Sequence, residues 1–418
     1  MIEVKDKSKC CGCSACAAAC PVGCISMEYD AEGCEYPLVD ADRCIGCGKC
    51  ERVCRILTPA PEKPSPQRAF LVQHRDPEVL LQSTSGGAFT ALAQVVLSRG
   101  GVVFGHGYLR GEQLSRAEGA PGPLKVGCFA AEDASELWRF RNSKYVQSTI
   151  GPAYQEVKDH LDEGRAVLFS GTPCQCEGLL SFLGGKRAGL YVVDIVCHAI
   201  VCRSVFSAYC EWLESKTGET LEAVRFRDKE RFGYRYSMMR ALGHDGERPF
   251  GKLYSAGVES DPYLRAFFSD VSDRPSCYSC AFKKRYRESD VTLWDFFDVY
   301  RMDRTFDDNR GVTRALCHTE EGAALLADAA AYARVSEIDA DDACEGVREM
   351  TRSVERDPRR DAFVSAVSRS GADSLDSWFP DSPRVKAERL VRAAAEKLGV
   401  YDQVKRAAKR LLRGYRRA

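Results

Sequence analysis

Eight cysteines in the first 54 residues repeat one spacing twice, and nothing else restricts the fold of this 418-residue chain as strongly. The first copy reads Cys10-x-x-Cys13-x-x-Cys16-x-x-x-Cys20-Pro21, and the second reads Cys44-x-x-Cys47-x-x-Cys50-x-x-x-Cys54 with Arg55 in place of the proline. Three thiolates two residues apart on one tight loop converge on three irons of a 4Fe-4S cube. The fourth ligand arrives from the opposite side, so in a doubled run the last cysteine of each copy serves the other cluster. Cys10, Cys13, Cys16 and Cys54 are therefore expected on one cluster, and Cys44, Cys47, Cys50 and Cys20 on the other. Gly12, Gly46 and Gly48 suit loops that turn N–H groups toward sulfur.

Two other uses of cysteine fit less well. Structural zinc takes two separated C-x-x-C pairs, not a triple with a fourth ligand further on. A disulfide framework belongs to small secreted chains, whereas Met1 is not followed by a basic and then apolar leader. Abundant cysteine without a leader points to a reducing compartment, so a cytoplasmic location is expected. No apolar run approaches the ~20 residues needed to span a bilayer. Lys plus Arg and Asp plus Glu stand at 60 each, so no global attraction to nucleic acid follows, and none is expected as a partner. Cys11, Cys24 and Cys34 lie outside the pattern and read as ordinary thiols.

The hydrophobic patterning divides the chain. Residues 1–57 form a small α+β, two-cluster ferredoxin-like domain. The alternating prolines of 58–66 predict a stiff, extended linker. Strands and helices alternate from 67 to 318, which predicts an α/β core. Strands are expected at Ala69–Gln73, Val102–Phe104, Ala166–Ser170 and Leu190–Cys197, with helices at Gly87–Ser98, Tyr154–Glu163 and Gly178–Leu183. Residues 319–418 read as a helical, basic C-terminal region. From Arg384 onward twelve Lys or Arg face three acids. Val400, Val404, Ala407 and Leu411 make a stripe suited to an anionic membrane surface or an acidic partner protein, or to a solvated terminal helix.

Further cysteines recur past the linker, in Gly171-Thr172-Pro173-Cys174-Gln175, Cys197-His198 and Arg274-Pro275-Ser276-Cys277-Tyr278-Ser279-Cys280. Successive strands would bring Cys174 and Cys197 to one sheet edge, where ligands bind in such folds. With Ser83-Thr84-Ser85-Gly86-Gly87-Ala88-Phe89-Thr90, Asn142-Ser143-Lys144-Tyr145-Val146-Gln147-Ser148 and Phe226-Arg227-Asp228-Lys229, these segments resemble the beta subunit of the coenzyme F-420-reducing hydrogenases and dehydrogenases. The resemblance runs from about 70 to 300.

That resemblance implies an iron-sulfur flavoprotein oxidoreductase with a noncovalently bound FAD and a third 4Fe-4S cluster, assigned to Cys174, Cys197, Cys277 and Cys280. FAD would exchange electron pairs with a deazaflavin-like coenzyme, and the clusters would pass single electrons to a redox partner protein or ferredoxin. Ser85, Gly86 and Gly87, before a helix, read as a cradle for phosphate or the flavin edge, or as a plain helix cap. Lys144 and Tyr145 read as cofactor contacts. Lys144 has a catalytic role if it meets the flavin N1–C2 carbonyl, and is otherwise a surface lysine. His198 would relay a proton or bind a cluster sulfur, or would be a satisfied core histidine. The chain departs from the family at Ala199-Ile200-Val201-Cys202, where Gly-Val-Pro-Ser is usual, and at Trp294 and Asp298, where glycine is usual. These replacements reshape the pocket and favour the alternative, a non-catalytic electron-transfer subunit docked on a separate oxidoreductase or biosynthetic enzyme.

Overall fold

The computed structural model describes residues 1–236, 238–245, 248–401 and 403–404. In the N-terminal module, β1 (Ile25–Tyr29) and β2 (Glu35–Val39) pair antiparallel between the two cysteine runs, Ile25 opposite Val39. Each run closes in a single helical turn, Ala15–Ala18 or Lys49–Arg52, entered through a left-handed residue, Ser14 or Gly48. The third cysteine lies in that turn and the fourth just after it.

Beyond the linker follow β3 (Arg68–His74), β4 (Val102–Tyr108), β5 (Val126–Ala131), β6 (Val167–Ser170) and β7 (Leu190–Ile195). A separate antiparallel sheet is made by β8 (Leu221–Asp228), β9 (Met238–Asp245) and β10 (Arg248–Gly257). The main sheet then resumes with β11 (Val291–Asp295), β12 (Thr313–Cys317) and β13 (Ala333–Ile338). Its order is β13-β3-β12-β11-β7-β6-β4-β5. The four central strands β11, β7, β6 and β4 run parallel, and antiparallel strands flank them on both sides.

A parallel strand covered on both faces must be apolar throughout, and β6 meets this with Val167, Leu168 and Phe169 all fully buried. Val103, Leu168 and Val193 pack on one face with the helix Ala88–Ser98. Val102, Phe104, Phe169 and Val192 pack on the other with the helices Ala153–Asp162 and Pro173–Leu183. Ala15 of the N-terminal module joins this second core, so the module is packed onto the α/β domain.

The α/β reading of the core holds, with corrections. The sheet does not end at 318: β13 pairs with β3, Ala333 opposite His74, so the region read as helical from 319 supplies an edge strand. Its alternation is masked because only Ala333 is fully buried at that edge. The third helix begins at Pro173, not Gly178, because Thr172 and Gln175 form a capping box that turns the Thr172-Pro173-Cys174 motif into the first helical turn. β7 stops at Ile195, leaving Cys197 in the following loop. Segment 58–66 has no regular structure but is not free: Lys284 Nζ donates to Ala60 O at 3.1 Å, and Glu62 Oε1 accepts from the N–H groups of Arg285 and Tyr286.

At the C-terminal end Ala395 of the helix Pro383–Lys397, and Tyr401 beyond its end, pack on Tyr236 and Met238. Val400 and Val404 of the expected stripe are partly exposed, whereas Ala407 and Leu411 lie outside the described residues. Among the described residues no helix is long and apolar enough to cross a membrane.

Candidate redox site at the carboxyl edge of the sheet

The twelve predicted cysteine ligands fall into three neighbourhoods. Burial raises the Cys16 thiol, and Cys13, Cys10 and Cys54 add to the shift, so this set is gathered around one point. Cys20, Cys44, Cys47 and Cys50 line a second small void together with Cys24. Each set takes its fourth member from the other sequence repeat. Cys24 also approaches the second set, with Sγ 3.4 Å from Cys20 Sγ.

The third neighbourhood sits at the carboxyl ends of β6 and β7, where open α/β sheets bind ligands. Cys174 lies in the first turn of the helix after β6, Cys197 follows β7, and Cys277 and Cys280 come from the turn Pro275–Ser279 and its cap. Burial drives the Cys197 thiol up to about 12, opposed by Lys283 and reinforced by Cys174 and Cys280. Burial likewise raises Cys277, with Asp273, Cys197 and Cys280 adding. Burial also raises Cys280, whereas a hydrogen bond from Cys11 lowers the Cys174 thiol to about 7. Held together, the four form a donor set that suits a cluster taking them as thiolates.

Two residues join this set to the N-terminal module. Arg274 is almost wholly buried, and its guanidinium donates to Cys10 O (3.0 Å), Glu35 O (2.7 Å) and Gln147 Oε1 (2.7 Å). Cys11 lies against both Cys13 and Cys174, between the first and third thiol sets.

A cavity of about 1070 Å³ opens beside Cys174 and Cys197, large enough for a dinucleotide-sized cofactor with space to spare. Ser85 and Gly87 line it at the N-terminus of the helix Ala88–Ser98. Gly86 is not among the lining residues. A Cβ there would overlap Val72 O and Thr313 N, so glycine lets the turn lie flat on β3 and β12. Ser85 Oγ is 2.8 Å from Thr313 Oγ1, and Lys229 Nζ donates to Ser85 O at 2.6 Å. The turn is thereby fixed from behind.

The facing wall is the loop Asn142–Tyr145, with both end residues at positive φ (69° and 39°). Such non-glycine geometry costs about 1–3 kcal/mol and is held only by its surroundings. Here Asn142 Nδ2 donates to Arg227 O, and Lys144 Nζ donates to Arg139 O, Arg141 O and Asn142 O. All three ammonium donors of Lys144 are thus committed to the loop. Burial, with Arg225 nearby, lowers this lysine to about 7. Tyr145 stacks on Phe267 at 4.5 Å. His198 Nε2 is 2.8 Å from Asp270 Oδ1 on the same cavity wall.

The wall also holds buried donors without a partner of good geometry: Arg141 Nε, His106 Nε2 and Arg227 Nη2. Arg227 is otherwise paired with Asp295 at 2.7 Å. Orphaned donors around a large cavity fit an anionic, acceptor-rich ligand such as FAD. Arg227 and Arg274 stood in quoted motifs without an assigned role. His106, Asp270 and Asp273 carry no local sequence signal. Asp194, Asp290 and Asp295 form ion pairs with Arg287, Lys186 and Arg227.

No curated protein matches the chain significantly. Among solved structures, a chain of the F420-reducing [NiFe] hydrogenase complex from Methanosarcina barkeri aligns at 14% identity and a TM-score of 0.41, covering 76% of this chain and 94% of that one. Two family models match: residues 9–56 fit a 4Fe-4S dicluster domain, and residues 164–343 fit the C terminus of the coenzyme F420 hydrogenase/dehydrogenase beta subunit. The second match takes in all four cysteines of the third set. By its two matched segments and the thiol sets they contain, the chain carries a segment similar to the C terminus of the coenzyme F420 hydrogenase/dehydrogenase beta subunit at 164–343 and an N-terminal 4Fe-4S dicluster, ferredoxin-like domain at 9–56.

Proposed function

We propose that this iron-sulfur electron-transfer protein binds FAD in the 1070 Å³ cavity and exchanges electron pairs there with a deazaflavin-type coenzyme. Single electrons then pass between the cavity and a protein partner through three 4Fe-4S clusters. The observation that carries this reading is the gathering of Cys174, Cys197, Cys277 and Cys280 beside the cavity, with Cys11 and Cys13 abutting them from the N-terminal module.

Bound FAD would supply the exchange between two-electron and one-electron chemistry. Ser85, Gly87, Arg141, Tyr145 and Arg227 would hold it. The helix N-terminus and the guanidinium groups favour its anionic portions. Lys144 braces the loop and keeps a basic group at the cavity wall. The Tyr145–Phe267 stack would give the cofactor an apolar wall on one side. Arg274 fixes the distance between the first and third thiol sets, because it bonds the main chain of Cys10 from the loop that carries Cys277.

Anaerobic purification followed by iron, sulfide and flavin analysis tests the reading. About twelve irons and one FAD per chain are expected. A colourless preparation, or one with clusters and no flavin, overturns it.

A second reading, an electron-transfer subunit without its own substrate, is favoured by Trp294 and Asp298 on the cavity wall. At these positions a glycine would leave space for a second ring system. Turnover with a deazaflavin coenzyme and an artificial acceptor supports the first reading, whereas flavin content without turnover supports the second.

A further inference from the structure

Outside the cysteine sets, the segment after the helix Pro262–Phe268 carries two carboxylates toward His198. His198 Nε2 is 2.8 Å from Asp270 Oδ1. One donor atom from each of His198, Asp270 and Asp273 lies within 4.8 Å of the other two. Asp270 is a non-glycine residue at φ 58°, a left-handed conformation that costs free energy unless its surroundings require it. Tyr278 pins it by donating to Asp270 O at 2.7 Å.

Asp273 is 0% exposed, and neither carboxylate oxygen has a hydrogen-bond partner among the described residues. Two cations stand close, and both are committed elsewhere. Arg360 gives its terminal nitrogens to the Glu32 carboxylate and reaches only the main-chain carbonyl of Asp273. Lys283 Nζ donates to the carbonyls of Cys197, His198 and Glu349. The Asp273 carboxylate therefore has no counter-ion in contact, and buried charges persist only when paired or coordinating a metal. The other convergence of three donors, Glu32 with Cys34 and Cys202, is different: Arg360 already meets the Glu32 charge there.

We propose that His198, Asp270 and Asp273 form a binding site for one divalent transition-metal cation, separate from the iron-sulfur sets. One imidazole nitrogen and two carboxylate oxygens suit Mn²⁺, Fe²⁺ or Zn²⁺ better than the soft ions that thiolates select. A dication also lets two adjacent carboxylates ionise together, which burial and the Asp270 charge otherwise oppose at Asp273. Three protein ligands leave coordination positions open. Because His198 lines the cavity, the ion would offer them to an oxygen donor on the cavity's occupant. The site does not depend on FAD being that occupant.

The test uses the anaerobically purified holoprotein with oxidised clusters, treated with a chelator and then titrated with Mn²⁺ while the EPR signal of the free ion is followed. One Mn²⁺ per chain is expected to bind and to be displaced by Zn²⁺. Asp273→Asn keeps the shape and removes the charge, and is expected to weaken binding at least ~10-fold with cluster iron per chain unchanged. Absence of stoichiometric binding to the wild type, or equal binding by the variant, overturns the proposal. Should the variant fail to retain its clusters, wild-type melting decides: Mn²⁺ must raise the melting temperature by mass action, and no shift overturns the site.

Discussion

Cys13 packs directly on Gly178: a Cβ at position 178 would lie 3.2 Å from Cys13 Sγ and 2.9 Å from the Tyr154 hydroxyl. The helix whose first turn holds Cys174 thus touches the loop of the first thiol set through its one side-chain-free position. A bulkier residue must push Cys13 away, because Tyr154 is held from behind by its 2.6 Å bond to Gln175 O. Gly178→Val is therefore expected to lose the first cluster selectively, lowering the iron content from about twelve to about eight per chain. Iron and sulfide analysis of the anaerobic variant checks this, and full iron retention would refute it.

Arg274→Met retains much of the apolar stem and removes the guanidinium. Cys10 O, Glu35 O and Gln147 Oε1 would lose their donor inside the interface between module and core. Stranding buried acceptors costs about 1–3 kcal/mol each, so a loss of about 3–5 kcal/mol is expected, in the range for breaking a buried charged contact. Thermal or denaturant unfolding measures it. A loss below about 1 kcal/mol would mean that water replaces the guanidinium freely.

The cysteines outside the three sets should behave differently from those within them. Cys34 Sγ lies 3.0 Å from Cys202 Sγ, with both residues fully buried, one in each domain. Cys34→Ala is expected to leave iron content unchanged and to cost about 1–2 kcal/mol as a small cavity. Cys280→Ser is expected to remove about four irons and leave the N-terminal pair intact. Iron loss in the Cys34 variant would show that it serves a cluster.

The sequence disclosed most where chemistry demands a local spacing. Both N-terminal thiol sets, including the exchange of Cys20 and Cys54, follow from C-x-x-C-x-x-C-x-x-x-C, because ligand convergence is decided within a few residues. Cys174 and Cys197 were legible for a related reason: each follows a buried strand whose apolar run is unmistakable. β13 was not, since an exposed edge strand needs no apolar alternation and Arg334, Val335 and Ser336 are all half-buried. The closeness of Asp273 to His198 was hidden as well. It depends on the bridge between Val201 and Asp273, a contact across 72 residues that no local pattern announces. Lys144 illustrates a third limit, in that its motif was visible but the direction of its ammonium, onto three carbonyls, was not.

His318 should make the fold acid-sensitive. Its Nε2 is 2.8 Å from Thr292 Oγ1, whose hydroxyl donates to Asp194 Oδ1 at 2.6 Å, and its Nδ1 is 2.9 Å from Gln67 Nε2. The hydroxyl proton points to Asp194, so Thr292 accepts from Nε2–H and Nδ1 must accept from the Gln67 amide. That network holds a neutral imidazole. Burial, then Arg287, lowers its pKa to about 3 against an opposing Asp290. The unfolded chain takes up the proton near pH 6.5, so between that pH and about 3 the unfolded state binds more protons. Stability from this group is whole above about pH 6.5 and falls on acidification by about 1.4 kcal/mol per pH unit. His318→Gln keeps a donor and an acceptor without titrating, and is expected to flatten the dependence of unfolding free energy on pH between 6.5 and 5. Parallel slopes for variant and wild type would assign the acid sensitivity to other groups.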